Sequence, residues 1–98
     1  MVLARVAGTV VATQKDPRME GVPSLVLEKI DTATMKGTGS YIVALDAVGA
    51  GVGEVVMYVT GSSSRMTSAT NGRPVDATIT AIVDQVELDG TLVFRKDG

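Results

Sequence analysis

The stretch Val2-Leu3-Ala4-Arg5-Val6-Ala7-Gly8-Thr9-Val10-Val11-Ala12-Thr13 alternates with a period of two. Val2, Ala4, Val6, Gly8, Val10 and Ala12 fall on one side. Leu3, Arg5, Ala7, Thr9, Val11 and Thr13 fall on the other, which is more mixed. That alternation marks a half-buried strand. The run is long for a strand, and Gly8 sits in its middle, where a glycine marks a bulge or a bend that lets a sheet curl into a barrel.

Working outward, the same chemistry repeats. Ser24–Ile30 reads as a second strand, with Leu25 and Leu27 on one face and Val26, Glu28 and Ile30 on the other. Tyr41–Ala47, Glu54–Thr60 and Ala77–Leu88 read as a third, fourth and fifth. Asp89-Gly90 is a two-residue hairpin signal, so Thr91–Arg95 is expected to pair back as a short edge strand, with a polar tail from about residue 95. The connections are turn-rich: Lys15-Asp16-Pro17-Arg18, a loop over Asp31–Ser40, a glycine cluster over Val48–Gly53, and an irregular stretch over Gly61–Gly72. Pro74 is placed to open a short helical turn, since proline is tolerated at the first helical position. Five main strands predict a small closed or partly open all-β barrel in a single domain covering residues 1–98.

Composition supports this class. The chain of 98 residues holds sixteen Val, four Ile and eleven Thr, nearly a third of its length, and these β-branched side chains pack well on pleated sheets. Tyr41, Tyr58 and Phe94 are its only rings, so the core must be built from Val, Ala, Leu and Ile. With no Cys and no His, zinc sites of the Cys/His type, Ser-His-Asp or Cys-His catalytic groups, reactive thiols and disulfides are excluded. A net charge of −2, with basic residues scattered along the chain, argues against a nucleic-acid surface. No apolar run is long enough to span a membrane. The N-terminus lacks the charged start and apolar stretch of a secretory signal. A soluble cytoplasmic protein is expected.

The sharpest local feature is Gly49-Ala50-Gly51-Val52-Gly53-Glu54. It is not a phosphate loop: a strand follows it, so there is no helix N-terminus to hold an anion, and no Lys-Ser/Thr follows as in a P-loop. The glycines read as a tight turn or as a place where two backbones approach closely. The second feature is Gly61-Ser62-Ser63-Ser64-Arg65. Its serines lack a base, which leaves a solvated loop, or hydrogen bonding between subunits with Arg65 as a cationic fork. The acids Asp46, Glu54, Asp76 and Asp84 are single, and a lone acid on a strand usually faces water or pairs with a base.

Taken in order, these segments resemble the vertex proteins of bacterial microcompartment shells, the family of carboxysome and ethanolamine- or propanediol-utilisation pentamers. The resemblance runs from Leu3-Ala4-Arg5-Val6-Ala7-Gly8-Thr9-Val10-Val11-Ala12-Thr13 through Lys15-Asp16-Pro17 and Leu25-Val26-Leu27. It is strongest in Asp46-Ala47-Val48-Gly49-Ala50-Gly51-Val52-Gly53-Glu54-Val55-Val56. Gly61-Ser62-Ser63-Ser64-Arg65, Pro74-Val75-Asp76-Ala77 and Ile82-Val83-Asp84 follow. The family usually has alanine where Ser64 stands, and the segments 31–40 and 66–73 look variable. The resemblance implies a five-stranded OB-type barrel assembling as a cyclic homopentamer with a narrow axial channel. The implied role is structural: to cap the fivefold vertices that flat layers of hexagonal tiles cannot close, in the shell of a compartment in the bacterial cytoplasm. Implied partners are other copies of the chain and the hexagonal and pseudohexagonal shell proteins, with no nucleic acid, no membrane, no cofactor, no metal and no catalysis.

A cyclic ring uses a heterologous interface, in which one patch meets a different patch of the neighbour. Gly49, Ala50, Gly51, Gly53 and Glu54, with Ser62, Ser63, Ser64 and Arg65, are therefore the candidate residues of the subunit interface or axial opening. The alternative is a nucleic-acid- or ligand-binding OB-type barrel, disfavoured by scattered rings and net negative charge. A small enzyme at the barrel mouth is a third reading, disfavoured by the missing His and Cys.

Overall fold

The computed structural model describes residues 2–12, 17–19, 21–61, 64, 66–67 and 76–96. Its strands are β1 (Val2–Val10), β2 (Ser24–Ile30), β3 (Gly37–Asp46), β4 (Val55–Thr60), β5 (Ala77–Ile82), β6 (Gln85–Leu88) and β7 (Thr91–Arg95). The first five close a barrel in the order β1-β2-β3-β5-β4, and β6 and β7 form a separate two-stranded sheet. All barrel pairings are antiparallel except β3 with β5. A 3-10 turn at Pro17–Met19 precedes β2. The helical turn expected at Pro74 lies outside the described residues.

The bulge expected in β1 is present and does more than bend the strand. Pairing with β2 slips between Val6 and Gly8, so that Val6 faces Leu27 while Gly8 faces Val26. Ala7 is the extra residue, and an extra residue reverses the side-chain parity beyond it. Ala4 and Val6 point into the barrel and are buried. Gly8 and Val10 share the outward parity of Val26 and Ser24. The single face expected from Val2 to Ala12 is therefore split at Ala7, and the strand ends at Val10, not Thr13.

Two further boundaries differ from expectation. β3 begins at Gly37, inside the segment whose Thr-Gly-Ser composition reads as loop. The pairing of Ile30 with Gly37, a bond from Thr38 Oγ1 to the Lys29 carbonyl (2.8 Å) and one from the Gly39 N–H to Glu28 Oε2 (3.0 Å) draw it into the sheet. The Glu28 carboxylate fills the space that a side chain at Gly37 would need. The expected strand Ala77–Leu88 is two strands, because its partner changes: Ile82 is opposite Val56 of β4, whereas Gln85 is opposite Arg95 of β7. Asp89 (φ 51°) and Gly90 (φ 78°) make the turn between β6 and β7. Two successive positive φ values are what a type I′ hairpin turn requires.

There are two main apolar layers. The barrel interior holds Ala4, Val6, Leu25, Leu27, Ala44, Val56, Tyr58, Ala77 and Ile79, with Tyr58 as its one ring. The second lies outside the barrel wall: Ile30, Met35, Val55 and Val83 pack with Leu3, Met57, Val86, Val93 and Phe94. The β6–β7 hairpin thus lids one flank of the barrel. Met35 reaches this layer from a turn at φ 60°, held by Asp31 Oδ1 accepting the Ala33 and Thr34 N–H groups (2.9 and 3.0 Å). Those two bonds, Thr34 first, hold the exposed Asp31 carboxyl below its ordinary value.

Candidate functional site

The glycine loop hangs from Asp46, the last residue of β3. Its carboxylate is buried and accepts three backbone N–H groups: Val48 and Gly49 at Oδ1 (both 3.0 Å) and Ala50 at Oδ2 (2.8 Å). An aspartate that collects successive amides fixes a turn much as a helix cap does. The loop then folds inward at Ala50, which is partly buried against the barrel interior. Gly49, Gly51, Val52 and Gly53 remain outside, and Val52 is two-thirds exposed at 66%.

Gly49 (φ 78°) and Gly53 (φ 90°) need glycine for conformation, not for crowding. Apart from its chain neighbours, no atom of the described residues lies within 4 Å of where either side chain would start. Close backbone approach is thus not the reason for these glycines within one chain.

The loop is tied at its far end as well. The Gly53 N–H donates to the Val6 carbonyl (2.8 Å), and the Val6 N–H to the Glu54 carbonyl (2.9 Å), which stitches the loop to β1. Glu54 Oε1 accepts the Gly51 N–H (2.6 Å), and Oε2 pairs with Lys96 Nζ at 2.7 Å. Lys96, with the Glu54 bond foremost, and then the Gly51 amide hold the Glu54 carboxyl below its ordinary value. Lys96 is itself held by its N–H on the Asp84 carbonyl (2.8 Å), so the residue after β7 clasps the hairpin to the loop. Asp46 and Glu54 are both structural here. They serve the backbone and Lys96, and present no paired carboxylate for acid–base work.

The serine loop is built differently. The Gly61 N–H donates to the Asp76 carbonyl (2.9 Å), and Gly61 adopts φ 66°. Ser64 is fully buried. Its hydroxyl donates to the Gly61 carbonyl (2.6 Å), and its carbonyl accepts Thr78 Oγ1 (2.5 Å). Of the loop residues singled out in the sequence, Ser64 is therefore enclosed by its own chain, while Ser62, Ser63 and Arg65 lie outside the described residues. The buried position also explains why a small residue stands there.

The two loops are not neighbours. The glycine loop enters β4 at Val55 and the serine loop leaves it after Thr60. They sit at opposite ends of that strand, roughly 17–20 Å apart at about 3.3 Å per residue. Among the described residues no group of His, Cys, Asp and Glu could hold a metal ion. The three rings are dispersed. Tyr58 is in the core, where burial raises its phenol above the ordinary value; Phe94 is under the hairpin; Tyr41 stands on the outside.

Sequence reasoning missed Asp46 as the anchor. The signal was present: an aspartate at a strand end, immediately before a glycine run, is placed to cap the amides that follow. It also missed Lys96, whose partner Glu54 is 42 residues away and beyond any local pattern.

Comparison with known proteins follows this geometry closely. A family model described as ethanolamine utilisation protein EutN/carboxysome matches residues 1–84. The carboxysome shell vertex protein CcmL of Gloeobacter violaceus is 43% identical over 96 residues, covering 98% of this chain and 95% of that protein. The solved structure of Gloeobacter violaceus CcmL superposes with a TM-score of 0.94 at 42% identity, covering both chains completely. The pentameric microcompartment shell protein GrpN of Rhodospirillum rubrum superposes with a TM-score of 0.80 at 40% identity, covering 90% of this chain and 99% of that one.

Proposed function

This chain belongs to the ethanolamine utilisation protein EutN/carboxysome family, and from that premise we propose that it is a structural shell protein whose homopentamer caps the fivefold vertices of a bacterial microcompartment. The observation that carries the reading is the likeness to a carboxysome shell vertex protein over nearly the whole sequence and the whole fold. The pentameric state of the GrpN neighbour supports the ring. The protein works in the bacterial cytoplasm, within the shell, and closes layers that hexagonal tiles leave open.

The residues take roles within that reading. Gly49, Ala50, Gly51, Gly53 and Glu54 form one contact zone at the subunit interface or axial opening. The open space around Gly49 and Gly53 is there for a neighbour to fill. Ser62, Ser63 and Arg65 form a second zone at the other end of β4, with Ser64 shaping that loop from within. Hexagonal and pseudohexagonal shell proteins are the partners at the rim. Catalysis is no part of the role, and nucleic acid is not a partner: three rings in three different environments provide no stacking platform.

Co-expression with a hexagonal shell protein tests the function. With this chain present, electron microscopy shows closed polyhedra; without it, open tubes, sheets or shells with missing corners. Equal closure in both cases overturns the proposal.

A further inference from the structure

We infer that the outer face of β2 and β3, centred on Val43 and Tyr41, is one half of the contact between copies of this chain, its occupant being the next subunit of the ring. The inference rests on the pentamer reading above and says which sheet face the ring uses.

The register places the face. Gly8, Val26 and Val43 stand side by side across β1, β2 and β3, and Val10 and Ser24 continue it along the strands. Tyr41 lies two residues from Val43 on the same side. Exposure is 40% at Val10, 53% at Val43 and 59% at Tyr41. An outward barrel face in water usually alternates to polar or charged residues, and charged residues make up 20% of this chain. These six outward positions carry none. The charges in the row of Tyr41, Glu28 and Arg5, are both engaged within the chain: Glu28 accepts the Gly39 N–H and Arg5 donates to the Met35 carbonyl. Few charges and an exposed tyrosine are the composition of an interface.

Among the described residues this face is covered only at Leu45, opposite Ser24, where Val22 packs on it, and Val10, Val43 and Tyr41 stay exposed, whereas the flank at Leu3, Val55 and Met57 is covered by Val86, Val93 and Phe94 of the hairpin. A second copy is the occupant that the area calls for. A subunit in a closed ring makes two contacts, each taking roughly 800 Å² from it for a standard interface. That is more than a quarter of the 5829 Å² this chain exposes. The glycine loop that follows β3 exposes two further valines, Val48 and Val52. The contact is heterologous, so Val43 and Tyr41 meet a different patch of the next subunit.

Two measurements test it. In wild-type protein, the two tyrosines are nitrated with tetranitromethane and read by peptide mass. In the intact pentamer neither reacts; once the ring is dissociated, Tyr41 reacts and the buried Tyr58 does not. Nitration of Tyr41 in the pentamer at the dissociated rate overturns the inference. Native mass spectrometry of folded Val43→Glu gives the second readout. Monomer is expected at concentrations where wild type is a pentamer, with at least a tenfold weaker assembly. A pentameric Val43→Glu, whether or not it still enters shells, overturns the inference while leaving the pentamer reading intact. A monomeric wild type overturns both.

Discussion

The barrel has two apolar flanks, and the chain treats them differently. On one, Leu3, Val55 and Met57 are roofed by Val86, Val93 and Phe94, and Lys96 clasps the roof to Glu54. On the other, Val43 and Tyr41 stand exposed beside Val26, and none of the described residues roofs them. The difference teaches that apolar outward positions on a small barrel are of two kinds. One completes the fold of a single chain, and the other is held for a neighbour. Hydrophobic burial acts on both, but for the second it is realised only on assembly.

Substitutions on the two flanks should therefore part company when read in monomeric protein, such as the Val43→Glu background. Phe94→Ala gives the largest loss. A buried Phe→Ala change costs about 3–5 kcal/mol. Phe94 is only half-buried, so about 2 kcal/mol is expected from urea unfolding. A loss below about 0.5 kcal/mol removes the roof from the account.

Glu54→Gln has a smaller effect, and it depends on pH. Lys96 and the Gly51 amide hold the Glu54 carboxyl below its ordinary 4.5. The folded chain therefore favours the ionised form. The stability this adds is complete above 4.5 and is lost as pH falls through the lowered folded value. The gap in unfolding midpoint between parent and Glu54→Gln should be present at neutral pH and close in acid below 4.5. A gap that is unchanged in acid contradicts the clasp. Its size at neutral pH is small, because the pair is exposed to solvent.

Tyr41→Ala has the smallest effect on the monomer, within about 0.5 kcal/mol as for an exposed side chain. Its effect on assembly is expected to be the reverse, with loss of the ring in the otherwise wild-type chain. A monomer destabilised as much by Tyr41→Ala as by Phe94→Ala erases the distinction between the flanks.

Much of the fold is legible along the sequence, and the exceptions have physical causes. Ser24–Ile30 is observed as expected because Leu25 and Leu27 alternate with outward residues and turn residues flank the run. The Asp89-Gly90 hairpin is observed because two positive φ values demand those residue types. Gly37–Ser40 reads as loop because its residues have low strand preference. The pairing with Ile30 and the Glu28 carboxylate overrides that preference, and neither is visible locally. The bulge at Ala7 follows from Gly8 in kind, but the parity reversal that sends Gly8 and Val10 outward does not. That reversal is why the bare flank is hard to see in advance: Val10 appears to belong with the core residues Ala4 and Val6.

The candidate residues divide the same way. Gly49 and Gly53 can be picked out by type, and their positive φ angles explain that type. Ser64 reads as a surface hydroxyl because it stands among serines. Only the third dimension shows it enclosed against Gly61 and Thr78.

The ring is the central claim, and the mass of the purified chain in native mass spectrometry tests it most directly. A species of five times 10.1 kDa at micromolar concentration is predicted, and a chain that stays at 10.1 kDa under the same conditions contradicts it.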